Sequence, residues 1–345
     1  MGSIIRIPKP VYILSAATVA GQHEKNGPLG EYFDIIGDKD DTFGCDTWEK
    51  TESEMQRLAL SRALNYAALR DTDLEAILAG DLLNQCAGSC YGLVSFDAPF
   101  LGLFGACSTA AEALLLSALL CSAHINRCAA VSSSHNASAE RQFRYPLEYG
   151  GQRAPTAQWT VTGAGAFILT SIQDDLIKSS YSKGAVPTIS EVLIGKSLDA
   201  GIKDANNMGA AMAPAAADTL LRYFKESSLL PSDFDMILTG DLGFEGSNIL
   251  CDLTAAKGLD ISSVHCDGGL IIYDRTGQDK HAGGSGCGCS AVVLAAQVLR
   301  AIRTGQITNM LFVGTGALMN PTVIQQGGTI PGIAHLVRIT SDPTS

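Results

Sequence analysis

The chain has 345 residues, 46% hydrophobic and 17% charged, with 36 glycines; this is the balance of a compact globular protein of about two domains and excludes disordered, collagen-like and coiled-coil classes. Thirty-five acidic against 24 basic residues leave a net charge of −11, which argues against neutralising phosphates, so no nucleic-acid partner is expected. The longest apolar stretches, 110–123 and 291–301, fall short of the ~20 residues of a bilayer span, and none of the ten cysteines forms a paired C-x-x-C zinc pattern.

The chain opens on VYILSAATVAG, read as a first strand rather than a cleavable signal because Pro8 and Pro10 precede a short β-branched run. A location on the cytoplasmic side of a membrane, with the cysteines reduced, is expected from this reading. A helix from Glu52 leads to a buried strand in DLEAILAGDL, 73–82. LFGACSTAAE then sets Cys107 at an elbow before a helix, 108–123, apolar on every face and therefore expected to be buried all round. A strand at 128–133 follows. The succession begins again with EVLIGKSLDAG, a helix at MAPAAADTLLRYF, and DFDMILTGDL at 233–242, and closes on the glycine-rich HAGGSGCGCS, an apolar helix at 290–302 and a further strand.

The helix and Gly-Asp strand recur at 233 − 73 = 160 positions. Aligning ACS at 106–108 with GCS at 288–290 gives 182 and sets Cys289 opposite Cys107; the 182 − 160 = 22 extra residues fall near 242–286. Each copy predicts parallel strands joined by crossover helices. Two sheets with a pair of buried helices between them give an α/β, five-layered α-β-α-β-α molecule with pseudo-twofold symmetry and halves at 1–185 and 186–345. A pair of dinucleotide-binding domains is disfavoured, since no G-x-G-x-x-G follows the first strand and no P-loop occurs.

At the start of the buried helix, Cys107 has two readings. The N–H groups and dipole of a helix N-terminus depress a thiol pKa and suit a nucleophile; alternatively it is a small residue at a crowded elbow. His265, Cys266, His281, Cys287 and Cys289 lie close in sequence, but at spacings that fit no standard zinc site, so no metal is expected. The glycines at 283–288 let backbone approach the Cys107 elbow. Arg141, Arg144 and Arg153 form a basic run whose structural role is salt-bridging to Glu140, Glu148 or a partner subunit.

The duplicated halves, the Cys107 elbow, the stretch from Arg153 to Thr170 and the glycine-rich terminus resemble the thiolase and β-ketoacyl synthase superfamily. Within it GDLLNQ, LFGACST, SSHNASAERQFRYPLEYGGQ, MGAAMAPAAADT, AGGSGCGCSAVV and PTVIQQ occur in an order similar to the stage V sporulation AD family of endospore-forming bacteria. The resemblance implies a protein that binds dipicolinic acid and takes part in moving it, with calcium, into the developing spore. It implies no cofactor. The position where synthases of this fold carry a histidine here reads Gly240-Asp241, and a carboxylate donates no oxyanion hydrogen bond unless protonated. The second polar partner is left among His281, Ser285 and Cys287. That combination favours a binding pocket over an acyl-transferring condensing enzyme with Cys107 as nucleophile. A flat dicarboxylate needs anion donors, assigned to Cys107 and Ser108 at the helix start and to Ser133 and His135 beside it, with Asp241, His281, Ser285 and Cys289 across the pocket. A loop histidine such as His135 otherwise serves as a cap. The resemblance further implies a homodimer, built on strand 128–133, and integral-membrane subunits of a sporulation channel that hold the protein at the spore inner membrane.

Overall fold

The computed structural model describes residues 3–144, 153–179 and 184–342; Glu148 and the side chain of Arg144 lie outside the described residues. The first half runs β1 (Ile5–Ala20), α1 (Gln22–Lys25), β2 (Ile35–Ile36), α2 (Trp48–Ala67), β3 (Ala76–Gly80), α3 (Ala87–Gly92), β4 (Phe100–Gly102), α4 (Thr109–Ala123), β5 (Arg127–Ser134), α5 (Asn136–Arg144), β6 (Trp159–Thr160), β7 (Gly163–Thr170) and α6 (Asp174–Lys178). The second runs β8 (Val186–Leu193), α7 (Met208–Ser227), β9 (Met236–Thr239), α8 (Gly243–Ala255), β10 (His265–Asp267), α9 (Gly268–Ile271), β11 (Gly284–Ser285), α10 (Cys287–Val293), α11 (Leu299–Arg303), β12 (Asn309–Ala317), α12 (Pro321–Gln325) and β13 (Gly332–Asp342).

The repeat is kept to the residue where the sequence shows it. Helices α2 and α7 are both 20 residues long and start 208 − 48 = 160 apart. Each begins on a side-chain cap: Thr47 Oγ1 accepts from Lys50 N, and Asn207 Oδ1 from Ala210 N, satisfying donors a helix start leaves free.

Strand order is β10-β9-β12-β13-β8-β1-β7-β5-β3-β4, with β2 added beside β1. Two sheets are expected from the sequence; the structure joins them, because β1 pairs antiparallel with β8, Ile5 opposite Val192 and Tyr12 opposite Thr188. The seam is interrupted between Arg6 and Val11, where Pro8 and Pro10 offer no N–H.

The layers follow from which faces are covered. Helix α2 packs on β7, β1 and β5, and α7 on β13 and β12. Between the halves lie α4, against β5 and β1 on one side and β12 and β13 on the other, and α10, against β7 and β5. Glycines make this crossing possible. A Cβ on Gly316 would stand 3.0 Å from Ser108 N and closer to Gly105 O, and one on Gly288 would stand 2.7 Å from Ser134 N and closer to Gly163 O. The Cys107 elbow is thus approached by Gly314 and Gly316 of β12. Within the glycine run, Gly286 and Gly288 lie against Ser134 and Gly163, and the Gly286 backbone also reaches the Cys107 thiol, as the sequence suggests.

The stretch 106–123 is apolar and long enough to cross a membrane by length and composition, yet it is mostly buried here, with Leu114 and Ala118 fully so. Burial of one such leucine side chain stabilises by roughly 1.5–3 kcal/mol, so α4 is a core helix. Strand β5, expected to pair across a dimer axis, has β3 on one side and β7 on the other and presents no free edge. The open edge of the first half is β4, whose Phe100 and Leu101 are exposed.

Candidate functional site

The elbow is built by backbone strain as well as by the helix. Ala106 sits at φ +51°, a left-handed conformation costly for a residue with a Cβ, and turns the chain so that Cys107 precedes the first turn of α4. Ser108 stands at the N-cap position without capping the turn; its Oγ donates back to Gly105 O at 2.7 Å, so its hydroxyl is already engaged.

A polar relay lies behind Cys107. Its Sγ is 3.9 Å from Ser285 Oγ, and the thiol also hydrogen-bonds Asp241. Ser285 Oγ donates to Asp241 Oδ2 at 3.3 Å, Gly286 N donates to the same oxygen at 2.8 Å, and Thr315 Oγ1 donates to Oδ1 at 2.9 Å. Burial pushes Asp241 up to about 6 against these hydrogen bonds. Burial, and then the Asp241 carboxylate, push the Cys107 thiol well above its ordinary range. The helix start is expected from the sequence to depress it; full burial outweighs the dipole, and the thiol stays protonated.

Ser285, and not Cys289, is the residue opposite Cys107. Helices α4 and α10 start 287 − 109 = 178 apart, while the strands after them start 309 − 127 = 182 apart. The 182 spacing is right for the strands and four too large at the elbow. Two of the four residues lengthen the second helix, which passes through a π turn at Leu294–Val298, and two lengthen the turn after it. Cys289 falls in the first turn of α10, in the hydrophobic core.

Cys107 and Ser285 face a cavity of about 60 Å³, small beside the roughly 300–1,000 Å³ of common small-molecule sites. Leu82, Phe143, Met208 and Met319 give it apolar walls, and Thr160, Asn206 and Glu140 add polar groups. Thr160 reaches it because β6 pairs with β11, Thr160 opposite Ser285. No histidine, lysine or arginine is among the described side chains lining it.

Several residues assigned to the pocket lie elsewhere. Ser133 Oγ donates to Glu52 Oε1 at 2.9 Å and accepts from Gln56 Nε2 at 2.8 Å, inside a buried network that continues to Ser89 and Asp81. His135 Nδ1 accepts from Ala137 N, so its Nε2 donates to Asp41 O at 3.2 Å and ties that loop to α5. His281 hydrogen-bonds Ala154 O and pairs with Asp279. Cys287 packs near Cys107, but its thiol donates to Ser133 O at 2.9 Å. Arg141 pairs with Glu49 rather than Glu140, and Arg153 stacks over Trp159 at 4.8 Å. Among the described residues no three His, Cys, Asp or Glu side chains converge on a metal-sized site.

Thr160, Thr315, Asn206 and Met208 were not singled out from the sequence. Thr315 could have been found, since it stands 182 positions after Ser133 in the repeated strand; Asn206 could not, as it precedes a helix cap in a loop with no counterpart motif.

The profile of the stage V sporulation protein AD family matches residues 3–340. Stage V sporulation protein AD of Bacillus subtilis (strain 168) is 44% identical over 329 residues, covering 94% of this chain and 93% of its own. Among solved structures, 3-oxoacyl-[acyl-carrier-protein] synthase III from Aquifex aeolicus VF5 is 12% identical with a TM-score of 0.54, over 95% of this chain and 99% of the other. A single-substitution variant of OleA from Xanthomonas campestris is 13% identical with a TM-score of 0.60, over 95% and 98%. Such distant likenesses show a common thiolase-like fold.

Proposed function

The chain belongs to the stage V sporulation protein AD family, which gives it a role in sporulation, and from that premise we propose that its cavity binds dipicolinic acid during uptake into the spore. The observation that carries this reading is a narrow apolar cleft with a few polar groups at its floor and wall. Leu82, Phe143, Met208 and Met319 offer a slot for a flat ring, and Cys107, Ser285, Thr160 and Asn206 are the groups within it able to hydrogen-bond carboxylates. Binding is non-covalent in this reading. A condensing enzyme needs an activated thiolate with a base beside it, whereas here the thiol is held protonated and Gly240-Asp241 occupies the synthase histidine position.

The test is calorimetric titration with sodium dipicolinate. Ala139→Leu, which fills the cavity from α5, should abolish measurable binding while the fold is kept. Thr160→Val should weaken it by about 2- to 13-fold, the worth of one hydrogen bond. Unchanged affinity in both variants would overturn this placement, and an acyl adduct on Cys107 after incubation with acyl thioesters would favour the condensing reading.

The reading extends to assembly. The homodimer is assigned to the β4 edge, where Phe100, Leu101 and Phe104 are 38%, 49% and 48% exposed beside unpaired backbone groups. Light scattering should give twice the chain mass, and Leu101→Asp should give the monomer; a monomeric wild type would count against it. Attachment to the spore inner membrane is assigned to integral-membrane subunits of the sporulation channel.

A further inference from the structure

We propose that the cavity takes its dicarboxylate together with one proton, held on Asp241, so that the charge state of the relay decides whether the cavity floor offers hydrogen bonds or withholds them. The inference rests on the binding reading above. Its starting point is an imbalance of charge. A dianion entering the cavity meets no lysine or arginine among the described lining side chains, and it meets the Asp241 carboxylate behind the floor.

The groups facing Asp241 come from every element packed on it, and among the described residues none of them is cationic. Cys107 stands at the start of α4, Ser285 and Gly286 at β11 and the cap of α10, and Thr315 on β12. Asp267 on β10 adds repulsion, and Cys289 contributes a buried neutral thiol. Asp267 is itself fixed by Leu242 N at 2.8 Å, Gly243 N at 3.0 Å and Thr239 Oγ1 at 2.7 Å.

The floor residues carry one hydrogen each. With Asp241 ionised, the Ser285 hydroxyl and the Cys107 thiol both turn that hydrogen inward to the carboxylate, and the cavity sees lone pairs. A proton on Asp241 Oδ1 can be donated to Thr315 Oγ1, 2.9 Å away, while Oδ2 continues to accept from Gly286 N. The carboxyl is then neutral, and Ser285 and Cys107 are free to donate into the cavity. Burial has already raised Asp241 to about 6, so near neutrality the empty site is mostly ionised and ready to take the proton. The ligand's own carboxyls stay ionised throughout that range.

The experiment is calorimetry of the full chain with sodium dipicolinate in two buffers of different ionisation enthalpy, repeated from pH 7.0 to 8.5. About one proton should be taken up per ligand, and affinity should rise about tenfold for each pH unit lowered. Asp241→Asn carries a neutral side chain at every pH; its amide nitrogen can donate to Thr315 and its oxygen can keep Gly286. That variant should bind without proton uptake and with affinity independent of pH. Equal heats in the two buffers for the wild type, or a wild-type pH slope retained by Asp241→Asn, would overturn the proposal. Failure of the wild type to bind dipicolinate at any pH would overturn the binding reading itself, a result distinct from pH-independent binding.

Discussion

Gly288→Ala should cost at least about 3 kcal/mol of stability, a large share of the roughly 5–15 kcal/mol that holds a domain together. The added Cβ would stand 2.6 Å from Ser134 Oγ and 2.7 Å from Ser134 N, and closer still to Gly163 O. Two of those atoms are backbone of β5 and β7, interior strands paired on both sides, so neither can retreat without breaking the ladder between them. Overpacking usually costs about 1–3 kcal/mol where side chains can yield; here two of the three atoms in the way, the nearest among them, are backbone. Gly305→Ala is the control, because its Cβ would meet open space and only the left-handed φ of +74° opposes it, at about 1–2 kcal/mol. Urea unfolding of both variants checks the contrast, and a Gly288→Ala midpoint equal to that of Gly305→Ala would refute the argument.

The second large effect concerns pH. Glu24 is fully buried; its Oε1 accepts from Thr162 N and the Tyr273 hydroxyl, while its Oε2 has no partner among the described residues. Burial pushes it up to about 7 from 4.5. A raised carboxyl contributes stability that is complete below the unfolded value and lost as pH rises through the folded one, so this term fades between about pH 4.5 and 7. Asp267, raised to about 7, and Asp241, raised to about 6, act in the same direction, as do Glu52 and Asp81, whose burial and proximity raise both. His265 and His335, lowered to about 4 by burial, act oppositely and lose stability as pH falls from 6.5 towards 4. Stability should therefore peak in mildly acidic solution and decline towards pH 8. Glu24→Gln keeps the acceptor to Thr162 and removes the charge. Relative to the wild type it should gain on the order of 2–3 kcal/mol between pH 5 and pH 8, read from denaturant midpoints. Parallel stability curves for the two proteins would show that Glu24 ionises freely in the fold.

The repeat made most of the architecture legible. Matching helices at 48–67 and 208–227, and Gly-Asp strand ends at 80–81 and 240–241, are written in the sequence at one spacing. The elbow at Cys107 and the Asp241 departure were legible too, because each stands beside a motif that fixes its place. Ser133 and His135 were not. Strand β5 is buried on both faces from Cys128 to Ser134, so hydrophobic alternation carries no record of which serines face the cavity and which face α2. The Cys289 alignment failed for a different reason. A π turn adds residues without leaving a mark in composition, and the small residues around it align equally well in two registers.

The seam between β1 and β8 also sets a timetable. Strand β1 is made well before its two long partners, β7 at 163–170 and β8 at 186–193, with only the two-residue β2 beside it in the meantime. At roughly 5–20 residues per second, it waits about 8–35 s until those two strands have been made. The inner face of the first half waits longer, because part of its cover is α10, residues 287–293, and α4 in turn needs β12 at 309–317. Such distant pairings make for slow folding, and they leave apolar surface bare until translation is nearly finished. A nascent chain of this protein thus keeps apolar surface uncovered through most of its synthesis, and a truncation before residue 309 would leave α4 without its second wall.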